Sequence, residues 1–322
     1  MIPIRDTNRS EKYPVINNSI IAITVLAFII ELVQGQGLKE FIYLYGLVPA
    51  RYAEPHIAAY FTTSQQVLPF LASLFLHGGV LHLVGNMWFL YIFGDNVEGR
   101  LGHLRYLVFY LLCGLAAGAS HLILNWHSNV PTLGASGAIA GVMGAYLILY
   151  PRAKVLTLLP IFFFFTFVEV PAFIFLGIWF LFQFLSAAGT AGQPGGIAWW
   201  AHIGGFLSGI VFLKLFDTMP KRGVSEKIQR LTKKRTTPRL QVINPVDPED
   251  ALDLYGSISV SEREARRGGR KLVNIAHDGK KRTFFVNIPP GVSEGTTLRL
   301  QGMGRLTAEG AKGDLYLKVQ IK

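Results

Sequence analysis

Ser136 stands in Gly134-Ala135-Ser136-Gly137, and His202 stands in Ala201-His202-Ile203-Gly204-Gly205. A serine hydroxyl becomes a nucleophile when a base takes its proton, and imidazole serves when it comes within about 3 Å. The glycines around Ser136 let another backbone approach closely. Free N–H groups at a helix start can stabilise a developing oxyanion. The same residues would also suit a helix-capping serine, and a histidine that bonds a neighbouring helix. His82 and Asn86 are four apart and share one helix face. Both can donate hydrogen bonds, as an oxyanion hole requires, with the Ser136 N–H as a third donor.

Other chemistries fit the residues less well. No HExxH string occurs, and His77, His82, His121 and His127 have no recognisable metal-ligand spacing, so no metal site is expected. Asp95 and Asp217 lie at the wrong ends of their apolar runs to form an intramembrane aspartyl pair. No Asp or Glu falls near Ser136, His82 or His202 within their runs, so a nucleophilic enzyme here would work with a dyad. Cys113, the only cysteine, lies in an apolar run and is read as packing.

The elements that must position these residues are membrane helices. Apolar runs mark spans at 16–34, 79–97, 104–124, 135–150, 170–188 and 197–216, each judged against a hydrocarbon core of about 30 Å. The first has no small-residue cleavage site behind it and reads as a retained helix. The apolar stretch from Val155 to Val168, with Pro160 inside it and Pro171 behind it, reads as an interfacial lead into the fifth helix, with a seventh span as the alternative.

Charge tests the count. Arg5, Arg9 and Lys12 precede the first span, Arg100 and Arg105 join the second and third, and Arg152 and Lys154 follow the fourth. The stretches Asn125 to Leu133 and Gly189 to Gly196 carry no Lys or Arg, and the long loop after the first span has only Lys39 and Arg51. The positive-inside bias then puts both termini on one side, read as the cytoplasm of a cell (plasma) membrane protein, which demands an even number of spans. His82, Asn86, Ser136 and His202 fall at similar depth in the outer half. Ala201, Gly205 and Gly209 form one small-residue stripe, and Gly137, Gly141 and Gly144 another. Two such faces can bring helices into backbone contact.

The chain of 322 residues carries a net charge of +11, with about two thirds of its Lys and Arg in residues 218–322. This uneven distribution fits the basic flank of a membrane protein and argues against nucleic acid as a partner. A basic linker at 218–250 leads to short strands at Leu254–Val260, Lys271–Ala276, Arg282–Ile288, Thr296–Leu300 and Leu315–Ile321, with a hairpin turn at His277-Asp278-Gly279-Lys280. The fold class expected is a polytopic α-helical membrane protein, a six-helix bundle over residues 1–217, followed by a small all-β domain at 251–322.

Together these motifs resemble the rhomboid family of intramembrane serine proteases over residues 12–216. The resemblance rests on His82-x-x-x-Asn86, Gly134-Ala135-Ser136-Gly137 and His202-Ile203-Gly204-Gly205, in that order. Glu98-Gly99-Arg100 is similar to the family's Glu-x-Arg turn, and His77-Gly78-Gly79 also matches. The resemblance implies cleavage of transmembrane substrates in the lipid bilayer, near its outer face, by Ser136 and His202. It also implies a water-filled cavity and the use of no metal or cofactor. Two departures stand out. The Trp-Arg pair that some members carry in the first outer loop is absent, and Ala140 stands four residues after the serine, where some members have tyrosine; the resemblance then implies a base held differently, with no catalytic group lost.

Residues 251–322 resemble the C-terminal substrate-binding domain of DnaJ co-chaperones, on Ala265-Arg266-Arg267-Gly268-Gly269, Ile288-Pro289-Pro290-Gly291-Val292, Leu298-Arg299-Leu300-Gln301-Gly302-Met303-Gly304 and Gly313-Asp314-Leu315. One copy is present where those proteins have two. The resemblance implies unfolded or cytoplasmic client segments as partners. A non-catalytic membrane protein that binds client helices is the alternative to the protease. A transporter would need paired intramembrane charges, of which only Glu31 and Glu169 are found.

Overall fold

The computed structural model describes residues 1–8, 10, 12–161, 164–189, 198–219, 232, 240–243, 245, 252–277, 280–305 and 312–321. The chain divides into two compact units, Met1–Lys233 and Lys234–Lys322.

Among the described residues, the first unit is built on six long helices: α1 (Val15–Val33), α2 (Val80–Leu101), α3 (His103–Leu124), α4 (Ser136–Leu149), α5 (Ala172–Gly189) and α6 (Trp199–Thr218). Among the described residues, α1, α3, α5 and α6 are long and apolar enough to cross a membrane. The 22 residues of α2 end on a polar turn with Asp95, Glu98 and Arg100. With 14 residues, α4 reaches only about 21 Å and is buried without a break from Gly137 to Tyr146. It is the central helix, packed against α2, α3, α5 and α6.

Small residues explain how α4 can be central. A Cβ at Gly205 would overlap the Gly137 carbonyl oxygen, and one at Gly209 would overlap that of Gly141. The two stripes read from the sequence are therefore in backbone contact, α4 on α6. On its other faces α4 meets Cys113 and Ala117 of α3 through Gly141 and Gly137.

Val155 to Val168, the stretch that leads into α5, is extended and not helical. It forms most of an antiparallel hairpin, β2 (Lys154–Ile161) with β3 (Phe164–Pro171), and β2 also pairs with β1 (Ile2–Asp6) at the N-terminus. Pro160 would break a helix through this run, whereas the three-stranded sheet satisfies the backbone through cross-strand bonds. Glu169 of β3 is paired with Lys154 at 2.8 Å.

The long connection between α1 and α2 is built of short helical segments, from Leu38–Tyr45 to Pro69–Ala72. Arg51 ties them down. Its buried guanidinium donates to the carbonyls of Tyr43, Leu44 and Gln65 and lies 4.0 Å from the Phe61 ring centre.

In the second unit β4 (Leu240–Ile243), β6 (Gly269–His277) and β7 (Lys280–Ile288) form one sheet. A second sheet holds β5 (Leu254–Val260), β9 (Leu315–Ile321) and β8 (Thr297–Leu300). Alternate residues Ile258, Val260, Val273, Val286, Leu315, Leu317 and Val319 form its core. One short helix, α7 (Glu262–Arg267), is started by a capping box in which the Ser261 N–H donates to Glu264 at 2.8 Å. The expected linker at 218–250 is corrected at its end, because β4 lies within it and pairs in parallel with β6. Most of the rest of that linker, and the turn residues Asp278 and Gly279, lie outside the described residues.

Candidate active site

Ser136 is the first residue of α4 and is half-buried. His202 sits in the first turn of α6. Because glycines bring α4 and α6 into backbone contact, the two side chains meet: Ser136 Oγ lies 2.8 Å from His202 Nε2. On its other side, His202 Nδ1 lies 2.7 Å from Oε1 of Gln183 on α5. An amide oxygen can only accept, so Nδ1 carries the proton and Nε2 offers its lone pair to the serine hydroxyl. His202 is buried, flanked by the rings of Trp179 and Trp199 at 6.0 and 6.2 Å.

His82 and Asn86 approach from α2. Gly134, two residues before the serine, has φ +122, a backbone that side chains rarely adopt. A Cβ there would lie 3.0 Å from His82 Nε2 and 3.6 Å from Asn86 Nδ2, so glycine is required on both counts. The backbone N–H of Gly78 donates to His82 Nδ1 at 3.4 Å, which leaves the proton on Nε2, the atom facing Gly134. Asn86 Nδ2 is buried and has no hydrogen-bond partner. An unsatisfied buried donor costs about 1–3 kcal/mol, and such a group in a native site is commonly kept for a ligand. Two donors without protein acceptors therefore flank the loop that delivers Ser136.

A cavity of about 1510 Å³ joins these groups; Ser136, His202, His82, Asn86 and Gln183 all line it. The structure thus gathers all four residues singled out in the sequence. His121 and His127 line the same cavity but are held by partners of their own. His121 Nε2 bonds Thr132 Oγ1 at 2.7 Å, and His127 Nδ1 lies 2.8 Å from Glu54. His77 stands against the His82 ring, with centres 5.0 Å apart. Its backbone N–H donates to Glu31 of α1 at 3.0 Å, so the intramembrane carboxylate anchors the loop that opens α2. Glu31 is thus a structural anchor and not half of a transport pair.

Gln183 was missed from sequence. Its signal was weak but present, as the one polar side chain in the apolar run from Ala172 to Leu185.

Comparison with known proteins agrees with this architecture. The model of the Rhomboid domain matches residues 64–216, and that of the DnaJ C terminal domain matches residues 228–322. The "Rhomboid protein 1, mitochondrial" of Saccharomyces cerevisiae is 32% identical over 152 residues, covering 44% of this chain and 40% of its own. The "Presenilin-associated rhomboid-like protein A, mitochondrial" of Danio rerio is 33% identical over 112 residues, 33% of this chain and 29% of its own. The "Chaperone protein DnaJ" of Treponema denticola is 35% identical over 79 residues, 24% of this chain and 20% of its own. The chain therefore spans less than half the length of these curated relatives.

The relatives overturn the plasma-membrane location expected from the sequence, since both rhomboid relatives are named as mitochondrial. Charge bias orients helices in a bilayer but does not identify the bilayer. The chain carries a Rhomboid domain over residues 64–216 and, after it, a DnaJ C terminal domain over residues 228–322.

Proposed function

We propose that this chain is a serine endopeptidase that cleaves transmembrane segments of other proteins within the bilayer. The observation that carries the reading is the 2.8 Å contact between Ser136 Oγ and His202 Nε2 in a cavity also lined by the unpartnered Asn86 amide. In the first step Ser136 Oγ bonds to the scissile carbonyl carbon while its proton passes to His202 Nε2. The carbonyl oxygen becomes an oxyanion, stabilised by Asn86 Nδ2, His82 Nε2 and the free N–H groups at the start of α4. Collapse then breaks the C–N bond, His202 gives its proton to the leaving amine, and water releases the acyl-enzyme by the same route in reverse. No step calls on a metal or a cofactor.

Residues 1–217 form the protease domain in this reading, and the β domain, beginning with β4, holds unfolded client segments. The relatives' names support a mitochondrial membrane as its location. The test is labelling by a fluorophosphonate probe together with cleavage of a transmembrane reporter. Wild type labels and cleaves, whereas Ser136→Ala does neither. Equal labelling of the two proteins rejects the reading in favour of a non-catalytic binder of client helices.

A further inference from the structure

The Ser–His pair lacks a carboxylate, and Ala140 stands where some rhomboid proteins carry a tyrosine. Something else must fix the imidazole. Three observations identify it. Gln183 Oε1 lies 2.7 Å from His202 Nδ1, and both residues are buried, at 7% and 9% exposure. Gln183 Nε2 in turn donates to the Trp179 carbonyl at 3.3 Å. That carbonyl can only accept, so it settles which way round the amide sits: the flipped amide would set two oxygens against each other. Finally, the Trp179 ring lies beside both the His202 and Phe206 rings, which confines the space around the imidazole.

We infer that Gln183 is the positioning residue of the catalytic base, an amide third member that fixes the tautomer and ring angle of His202. The inference rests on the protease reading above. The chain of acceptors and donors runs in one sense, from the Trp179 carbonyl through the Gln183 amide and the imidazole to the serine hydroxyl. A neutral amide can orient the base but brings no charge to stabilise the imidazolium, so its contribution lies in geometry. Helix α5 would thereby join the catalytic machinery: a shift of α5 away from α6 would release the imidazole to turn about its own bond. Any substrate helix that enters beside α5 would have to do so without breaking the 2.7 Å contact, or would switch the base off as it passed.

The test compares full-length Gln183→Leu and Gln183→Glu with wild type. Leu removes the acceptor; Glu keeps one. Gln183→Leu is expected to lower kcat by roughly 10- to 100-fold, with KM within about twofold. The rate of fluorophosphonate labelling of Ser136 falls in parallel. Gln183→Glu recovers most of that loss.

An independent readout is the ¹⁵N spectrum of labelled histidine, with His202→Ala for assignment. Wild type should show a protonated Nδ1 on His202, and Gln183→Leu a mixture of tautomers. Unchanged kcat and an unchanged tautomer in a folded Leu variant would overturn the inference, and so would equal losses in the Leu and Glu variants. Should the Leu variant fail to fold, a wild-type His202 protonated at Nε2 would overturn it. Absence of labelling in wild type would reject the protease reading instead, and the histidine spectrum would still decide the role of Gln183.

Discussion

The two ends of the bundle treat buried polar groups in opposite ways. Where α2 ends, nearly every one is satisfied. Glu98 accepts from the N–H groups of Ile16 and Asn17 at 3.0 and 2.7 Å and from His103 Nδ1. Asn17 in turn donates to the Leu90 carbonyl and accepts from the Tyr106 hydroxyl at 2.6 Å. Asn96 donates to Asp6 and accepts from Asn8, and the Tyr146 hydroxyl donates to the same Asp6. Where α2 begins, Asn86 Nδ2 and His77 Nε2 are buried with nothing to bond. Tyr110, midway along α3, also lacks a partner for its hydroxyl, and nothing in the structure explains it. The first end holds α1, α2 and α3 together. The second keeps the Asn86 donor for a group that arrives from outside. Removing a polar side chain should therefore cost stability at one end and rate at the other.

The most severe break is at the nucleophile. Ser136→Ala should reduce cleavage to background while the thermal midpoint in detergent stays within a degree or two. Next is the unpartnered donor. Asn86→Ala should lower kcat by about 10²–10³ with KM little changed. Its midpoint should hold or rise, because an unsatisfied amide leaves the interior. A rise in KM alone would remove Asn86 from the oxyanion role. Glu98→Ala should do the reverse. It orphans two backbone N–H groups and an imidazole, at a cost of about 3 kcal/mol or more, so the midpoint falls by several degrees. Cleavage per folded molecule should stay within about twofold of wild type. A Glu98 variant that keeps its midpoint but loses kcat would erase the contrast between the ends.

How far the sequence disclosed this arrangement differs between the same regions. The six helices announced themselves through apolar length, and the site through motifs whose residues sit on helices already forced together by glycine. Gln183 carries no motif, and its importance lies in a partner on another helix, so only geometry shows it. The strands of the hairpin β2–β3 were not legible because a continuous apolar run has no period to separate strand from helix. Its third strand, β1, pairs with a segment about 150 residues away, beyond the reach of any local signal. The four residues of β4 sit among prolines and charges that read as linker, and their register is set by β6 alone. In the β domain, by contrast, Leu254–Val260 and Leu315–Ile321 were legible to the residue, because one face of each is buried and the alternation is clean.

The smallest effect tests how complete the satisfied end is. Asp6, outside the spans on β1, accepts from Tyr146 at 2.6 Å and from Asn96 at 2.8 Å, both on Oδ2. Burial nevertheless outweighs these bonds and pushes its carboxyl up to about 6. An acid whose folded value is raised binds its proton more tightly in the folded state. Stability is then highest below pH 3.8, the ordinary value, declines as pH rises through 6, and levels off above it. Asp6→Asn keeps an oxygen for both donors and removes the charge. Its midpoint should match wild type near pH 4 and exceed it near pH 7.5. The gap should be only on the order of a degree or two, since Asp6 is partly open to solvent and screened. The measurement is a pair of melting curves at each pH. If the variant instead melts lower at pH 7.5, the ionised carboxylate strengthens its two bonds by more than burial costs it. The end of the bundle that appears fully satisfied would then be so in charge as well as in hydrogen bonds.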